Sequence, residues 1–134
     1  MTLPFTVALK SGLPVHDQVV FAVERALVSG QLRTGDPFPS VRTLSQQLRI
    51  NPNTAHRIVA TLVRDGLLEV RPGKGTLVAK PPAGTAAQRR TLLNDDVERL
   101  VVAARKLSLA ADEVVDAVRD HWQRFERSPK RGVR

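Results

Sequence analysis

A chain of 134 residues with 42% apolar residues is long enough for one packed domain, or for one small domain with an appendage. Its 21 Lys and Arg against 13 Asp and Glu leave a net charge of +8, a balance that suits a polyanionic partner such as DNA, RNA or an anionic membrane surface. The lack of cysteine excludes a disulfide framework and thiolate metal sites, and the absence of a basic-then-apolar leader or an apolar run near the ~18 residues of a membrane span sets the expectation of a cytoplasmic protein.

With only four Phe and one Trp, the core must rest on Leu, Val, Ile and Ala. Residues 4–9 suit a short extended segment, broken by Gly12. Pro14 can serve as the first residue of a helix, since the N–H it lacks would be unpaired there. Val15, Val19, Ala22, Val23, Ala26 and Leu27 then recur at helical spacing, and Gly30 can end the helix in a left-handed cap. A loop from Gln31 to Pro39 follows. Ser40 is a good N-cap for a second helix with Val41, Leu44 and Leu48 on one face.

After Ile50, Asn51 can cap a third helix with Pro52 in its first position. Ala55, Ile58, Val59, Leu62 and Val63 turn inward, and Asn53, Thr54, His56, Arg57, Thr61 and Arg64 turn outward. Asp65-Gly66 stops it. Leu67–Val70 and Thr76–Val78 are short β-prone runs around the tip Arg71-Pro72-Gly73-Lys74-Gly75, which signals a hairpin. Two short helices, the second with a polar and basic outer face, present a helix to the DNA major groove. A basic-tipped hairpin directly after them is the wing of a winged helix-turn-helix.

Residues 79–88 read as a linker by composition. Beyond it Leu93, Val97, Leu100, Ala104 and Leu107 are spaced 4, 3, 4 and 3, a heptad seam two heptads long. Ser108 can cap a further helix, with Asp112 and Glu113 in its first turn and an apolar stripe of Ala111, Val114, Val118, Trp122 and Phe125. The tail 128–134 is basic and expected to be disordered. Two helices of this length cannot bury a core alone, and a second copy of the chain is the simplest supplier of the missing surface. The expected architecture is therefore mostly α with a small β-hairpin wing. A winged helix-turn-helix occupies residues 1–78, and a two-helix dimerisation region occupies 89–127.

Together these motifs resemble the GntR family of bacterial transcription regulators over about Pro14 to Val78. The resemblance rests on Gly30, Gly35-Asp36, Pro39-Ser40-Val41-Arg42, Leu44, Leu48, Asn51-Pro52-Asn53-Thr54, Leu62, Asp65-Gly66-Leu67 and Gly73-Lys74-Gly75-Thr76-Leu77-Val78, in that order. The short C-terminal region looks like the YtrA-like subfamily, whose C-terminal helices dimerise. Phe38 stands where Leu is usual before the Pro-Ser pair, and Val59 where an aromatic is frequent. The resemblance implies a homodimer that binds a palindromic operator, usually as a repressor, and both a constitutive repressor and one released by a small-molecule effector fit the residues.

The DNA-contacting set is then Ser40, Arg42, Asn53, Thr54, His56, Arg57, Gly73, Lys74 and Gly75. Arg42 lies in a first helical turn, where the helix dipole does not favour a cation, so a DNA contact is its reading and a solvated surface arginine the alternative. Ser40 is first a cap. Asn53 is either a turn residue or a base reader, since Asn pairs with adenine and Arg57 would pair with guanine. His56 and Arg57 lie where the family varies and would set operator choice. Leu93, Val97, Leu100, Ala104, Leu107, Val114, Val118, Trp122 and Phe125 form the expected dimer interface.

No cofactor or metal is expected, although Asp112, Asp116 and His121 carry side chains of the type that bind metal and are the one alternative set. An enzyme is not expected, because His16, His56 and His121 lie on separate helices without an obvious acid partner. The rival binding class is a sequence-indifferent architectural or RNA-binding winged helix.

Overall fold

The computed structural model describes residues 3–127, and the basic tail 128–134 lies outside the described residues. The chain divides into two compact units, with the boundary along the sequence between Pro82 and Ala83.

The first unit is built on three helices and a hairpin: α1 (Val15–Ser29), α2 (Val41–Leu48), α3 (Pro52–Arg64), β1 (Leu68–Arg71) and β2 (Gly75–Val78). Pro14 precedes α1 rather than opening it. Its ψ of 128° is extended, and its carbonyl accepts the first helical bond, from the Gln18 amide at 3.2 Å. α1 ends at Gly30, where φ is 85° and the amide reaches back to the Leu27 carbonyl. Ser40 caps α2, its hydroxyl accepting from the Thr43 amide at 3.1 Å. Asn51 caps α3 in the same way, its side-chain oxygen accepting from the Asn53 amide at 2.7 Å, with Pro52 in the first turn. Each cap satisfies an amide that the helix itself cannot, which typically contributes ~1 kcal/mol.

The core closes between these helices. Val19, Ala22, Val23 and Ala26 of α1 meet Leu44 of α2 and Ala55, Ile58 and Leu62 of α3, with Leu68 and Val78 from the hairpin. Phe5 and Phe38 stack at a centroid distance of 5.8 Å and join the same core. Val63, expected to face inward, is instead exposed. It falls at the edge of the apolar arc, one residue past the fully buried Leu62.

The hairpin pairs Leu68 with Val78, Glu69 with Leu77, Val70 with Thr76 and Arg71 with Gly75. The Lys74 amide donates to the Arg71 carbonyl at 3.0 Å across Pro72-Gly73. Pro second and a positive-φ Gly (79° at Gly73) third is the type II turn pattern, so a side chain at 73 would be strained. The loop before α2 also pairs with the hairpin. The Phe38 amide donates to the Thr76 carbonyl and the Val78 amide to the Asp36 carbonyl, each at 2.8 Å, so residues 36–38 fix the outer edge of β2.

The second unit holds α4 (Ala86–Arg90), a π-helical stretch over Thr91–Asp96, α5 (Val97–Lys106) and α6 (Ala111–Arg127). Two sequence expectations change here. Residues 86–88, read as linker, are helical, because Thr85 and Gln88 form a reciprocal capping box: the Gln88 amide donates to Thr85 Oγ1 and the Thr85 amide to Gln88 Oε1. Ser108 does not cap α6. It sits at φ 59° after the end of α5, where the Ser108 amide donates to the Arg105 carbonyl and the Leu109 amide to the Ala104 carbonyl. Ser108 is therefore a left-handed helix stop, and α6 starts three residues later.

Candidate nucleic-acid interface

Between Asp36 and Asp65 the chain has four arginines and no acid. This is the stretch that forms α2 and α3. Burial of Leu44 on α2 and of Ala55, Ile58 and Leu62 on α3 leaves the opposite faces to polar side chains. Arg42, Asn53, His56 and Arg57 are exposed, and Thr54 is half-buried. Gly73, Lys74 and Gly75 stand exposed at the hairpin tip.

Among the described residues, the side chains of Arg42, His56, Arg57 and Lys74 have no hydrogen bond or ion pair within the chain. Their donors are free for a ligand. Arg71, by contrast, is held by Glu69, with Nε 2.6 Å from Oε2, and Arg64 by Asp65 at 3.2 Å. The hydroxyl of Ser40 is engaged twice, with the Thr43 amide and with Thr43 Oγ1 at 3.1 Å, so its first role is to shape the start of α2.

Two sequence expectations are corrected at the root of α3. Thr61 does not face outward. Its Oγ1 lies 2.7 Å from Nε2 of His16, whose Nδ1 is 3.0 Å from Asp17 Oδ1. His16 thus has an acid partner, and the chain Asp17–His16–Thr61 ties the start of α1 to α3. The contact spans 45 residues of sequence, and periodicity alone carries no signal for it. Elsewhere on α1, partial burial, and secondarily repulsion from Asp65, holds the Glu24 carboxyl above its ordinary range.

In the second unit, Ala104 is the only buried residue among 83–126. Val114 and Phe125 are half-buried, and Leu93, Val97, Leu100, Leu107, Val118 and Trp122 are exposed. α5 and α6 frame an apolar groove of about 410 Å³ lined by Val97, Leu100, Ala104, Leu109, Val114 and Val118. The heptad spacing is less regular in space than in sequence, since Leu93 lies in the π-helical stretch and Leu107 beyond the end of α5. Among the described residues no three His, Asp or Glu are placed to hold a metal ion, so Asp112, Asp116 and His121 do not form such a set. No helix there is long and apolar enough to cross a membrane.

Residues 16–78 match the family described as bacterial regulatory proteins, gntR family. The HTH-type transcriptional regulator YhcF of Bacillus subtilis (strain 168) is 29% identical over 110 residues, covering 82% of this chain and 91% of YhcF. The HTH-type transcriptional repressor YtrA of the same organism is 23% identical over 112 residues, covering 83% of this chain and 86% of YtrA. In fold, the chain is similar to the crystal structure of a transcriptional antiterminator from Listeria monocytogenes EGD-e, with a TM-score of 0.77 and 23% identity over 90% of this chain and 91% of that one. The basic helix pair, the hairpin wing and these likenesses agree: the chain carries a winged helix-turn-helix domain of the GntR family, homologous to YtrA and other DNA-binding transcriptional regulators of that family.

Proposed function

We propose that the protein is a sequence-specific repressor that binds a palindromic operator as a homodimer. The observation that carries this reading is the set of cationic and polar side chains Arg42, His56, Arg57 and Lys74, unpaired among the described residues, on two helices and a wing, with no acid between Asp36 and Asp65. Arg42 and the amides at the start of α2 take phosphate. Asn53, Thr54, His56 and Arg57 occupy the amino-terminal turns of the reading helix, which enter the major groove and read base edges. Lys74, flanked by Gly73 and Gly75, approaches the backbone or the minor groove. The repressor role is supported by the name of the relative YtrA.

The homodimer is supported by the second unit. Its exposed Val97, Leu100, Val118 and Trp122 form more apolar surface than an isolated helix pair sustains in water. A second copy supplies matching surface, and two-fold symmetry then accounts for a palindromic site with half-sites one or more helical turns apart.

The test is competition on DNA from upstream of the chain's own gene. Specific binding should survive excess random duplex and give a two-fold symmetric footprint. Equal loss to random duplex would favour the sequence-indifferent architectural or RNA-binding alternative. On the same fragment Arg42→Ala should weaken binding and lower the salt slope by about 1 if Arg42 holds a phosphate, or cost about 1–3 kcal/mol on the promoter fragment alone if it reads a base edge, with the fold intact by circular dichroism. Unchanged affinity would remove Arg42 from the contact set. A thermal-shift screen of metabolites, scored by release of the DNA, tests for a small-molecule effector.

A further inference from the structure

Eight described residues have positive φ, and six of them are glycine. The exceptions are Ser108 and Arg49, at φ 55°. α1 and α3 are followed by Gly30 and Gly66 in this conformation, whereas α2 is followed by Arg49. Local bonding demands the left-handed turn at 49. The amides of Arg49 and Ile50 both reach the Ser45 carbonyl, the second at 3.1 Å, and the Ser45 hydroxyl donates to the Ile50 carbonyl at 2.8 Å. This is the helix stop that glycine fills without strain, and an L side chain there carries a conformational cost.

The hydrogen bonds of this turn are main-chain bonds and one from Ser45, and none of them uses the arginine side chain. The Arg49 side chain is exposed and, among the described residues, has no hydrogen bond, ion pair or ring contact. Its place points to an external partner. Arg49 stands two residues before Asn51, the cap of α3, so at most ~7 Å of chain separates them. When the start of a reading helix enters the major groove, the phosphates along the groove edge lie within reach of a long side chain at that turn.

We propose that Arg49 binds a backbone phosphate of the duplex at the edge of the groove and so sets the depth and register of α3. This rests on α3 being the reading helix. A phosphate carries no sequence information, so Arg49 strengthens binding to every duplex alike.

The test uses the full chain, a mixed-sequence 25-base-pair duplex and the fragment upstream of its own gene, titrated across a range of NaCl. Arg49→Gly should lower the slope of log affinity against log salt by about 0.9 and weaken both DNAs by the same factor. Relief of the left-handed strain should at the same time raise the melting temperature by roughly 4 °C. Arg49→Lys, which keeps the charge, should restore the slope.

An unchanged slope in Arg49→Gly, with Arg57→Ala still weakening the promoter fragment, overturns this proposal and leaves the reading helix in place. If neither variant changes binding, the reading helix itself is misassigned and the proposal falls with it. A loss confined to the promoter fragment makes Arg49 a base reader and overturns the phosphate assignment. A melting temperature that does not rise removes the strain argument.

Discussion

Leu100→Asp should give a folded monomer that no longer binds the operator tightly. Leu100 lies on α5, is 44% exposed in the single chain and lines the groove against α6. A carboxylate there is tolerated in an isolated chain because water reaches it, so the helices should keep their circular dichroism signal. In a dimer two such carboxylates are buried near a symmetry axis without a partner, a desolvation cost of several kcal/mol per ion. Linking two half-site readers raises affinity by roughly 10²–10⁴, and that factor is what the monomer forfeits. Light scattering coupled to size exclusion, together with titration of the promoter fragment, reads both effects. A variant that stays dimeric would place the interface elsewhere on the chain.

Much of the fold was legible because independent local signals coincide. α3 is bracketed by Asn51-Pro52 and Asp65-Gly66, and its buried Ala55, Ile58 and Leu62 keep helical spacing between those stops. The hairpin follows from Pro72-Gly73 between two β-prone runs. The cationic candidates were legible for a simpler reason: an arginine flanked by core positions on a helix has only solvent or a ligand to meet. What escaped depends on backbone bonding or distant contacts. The pairing of residues 36–38 with β2 uses only main-chain groups and leaves no side-chain pattern. Ser108 carries the strongest N-cap signal in its region, yet the two amide bonds that end α5 capture it first. The Thr85–Gln88 box was present as a motif but lay among Pro, Gly and Ala, whose composition suggested a linker. The left-handed Arg49 gives no sequence signal, because glycine is the residue expected there.

Leu62→Ala and Val63→Ala should differ sharply although the two residues are neighbours of similar character. Leu62 is 0% exposed and packs in the core that joins α1, α3 and β1, whereas Val63 is 37% exposed. Truncating a fully buried leucine removes its transfer free energy and leaves a cavity, at a cost of about 2–5 kcal/mol. A small domain has a total stability of ~5–15 kcal/mol, so Leu62→Ala spends a large share of it. Its melting temperature should fall by at least roughly 8 °C, given about 4–8 °C per kcal/mol at this size. Val63→Ala should stay within about 0.5 kcal/mol of the parent, as surface changes usually do. Because α3 is also the helix proposed to read DNA, loss of its packing against α1 removes the rigid support for Asn53 and Arg57. Operator binding by Leu62→Ala should therefore fail on warming before that of the parent. Thermal unfolding followed by circular dichroism separates the two variants. Comparable losses in both would mean that the face of α3 turned to the core, and with it the face turned to DNA, is rotated from the one assigned.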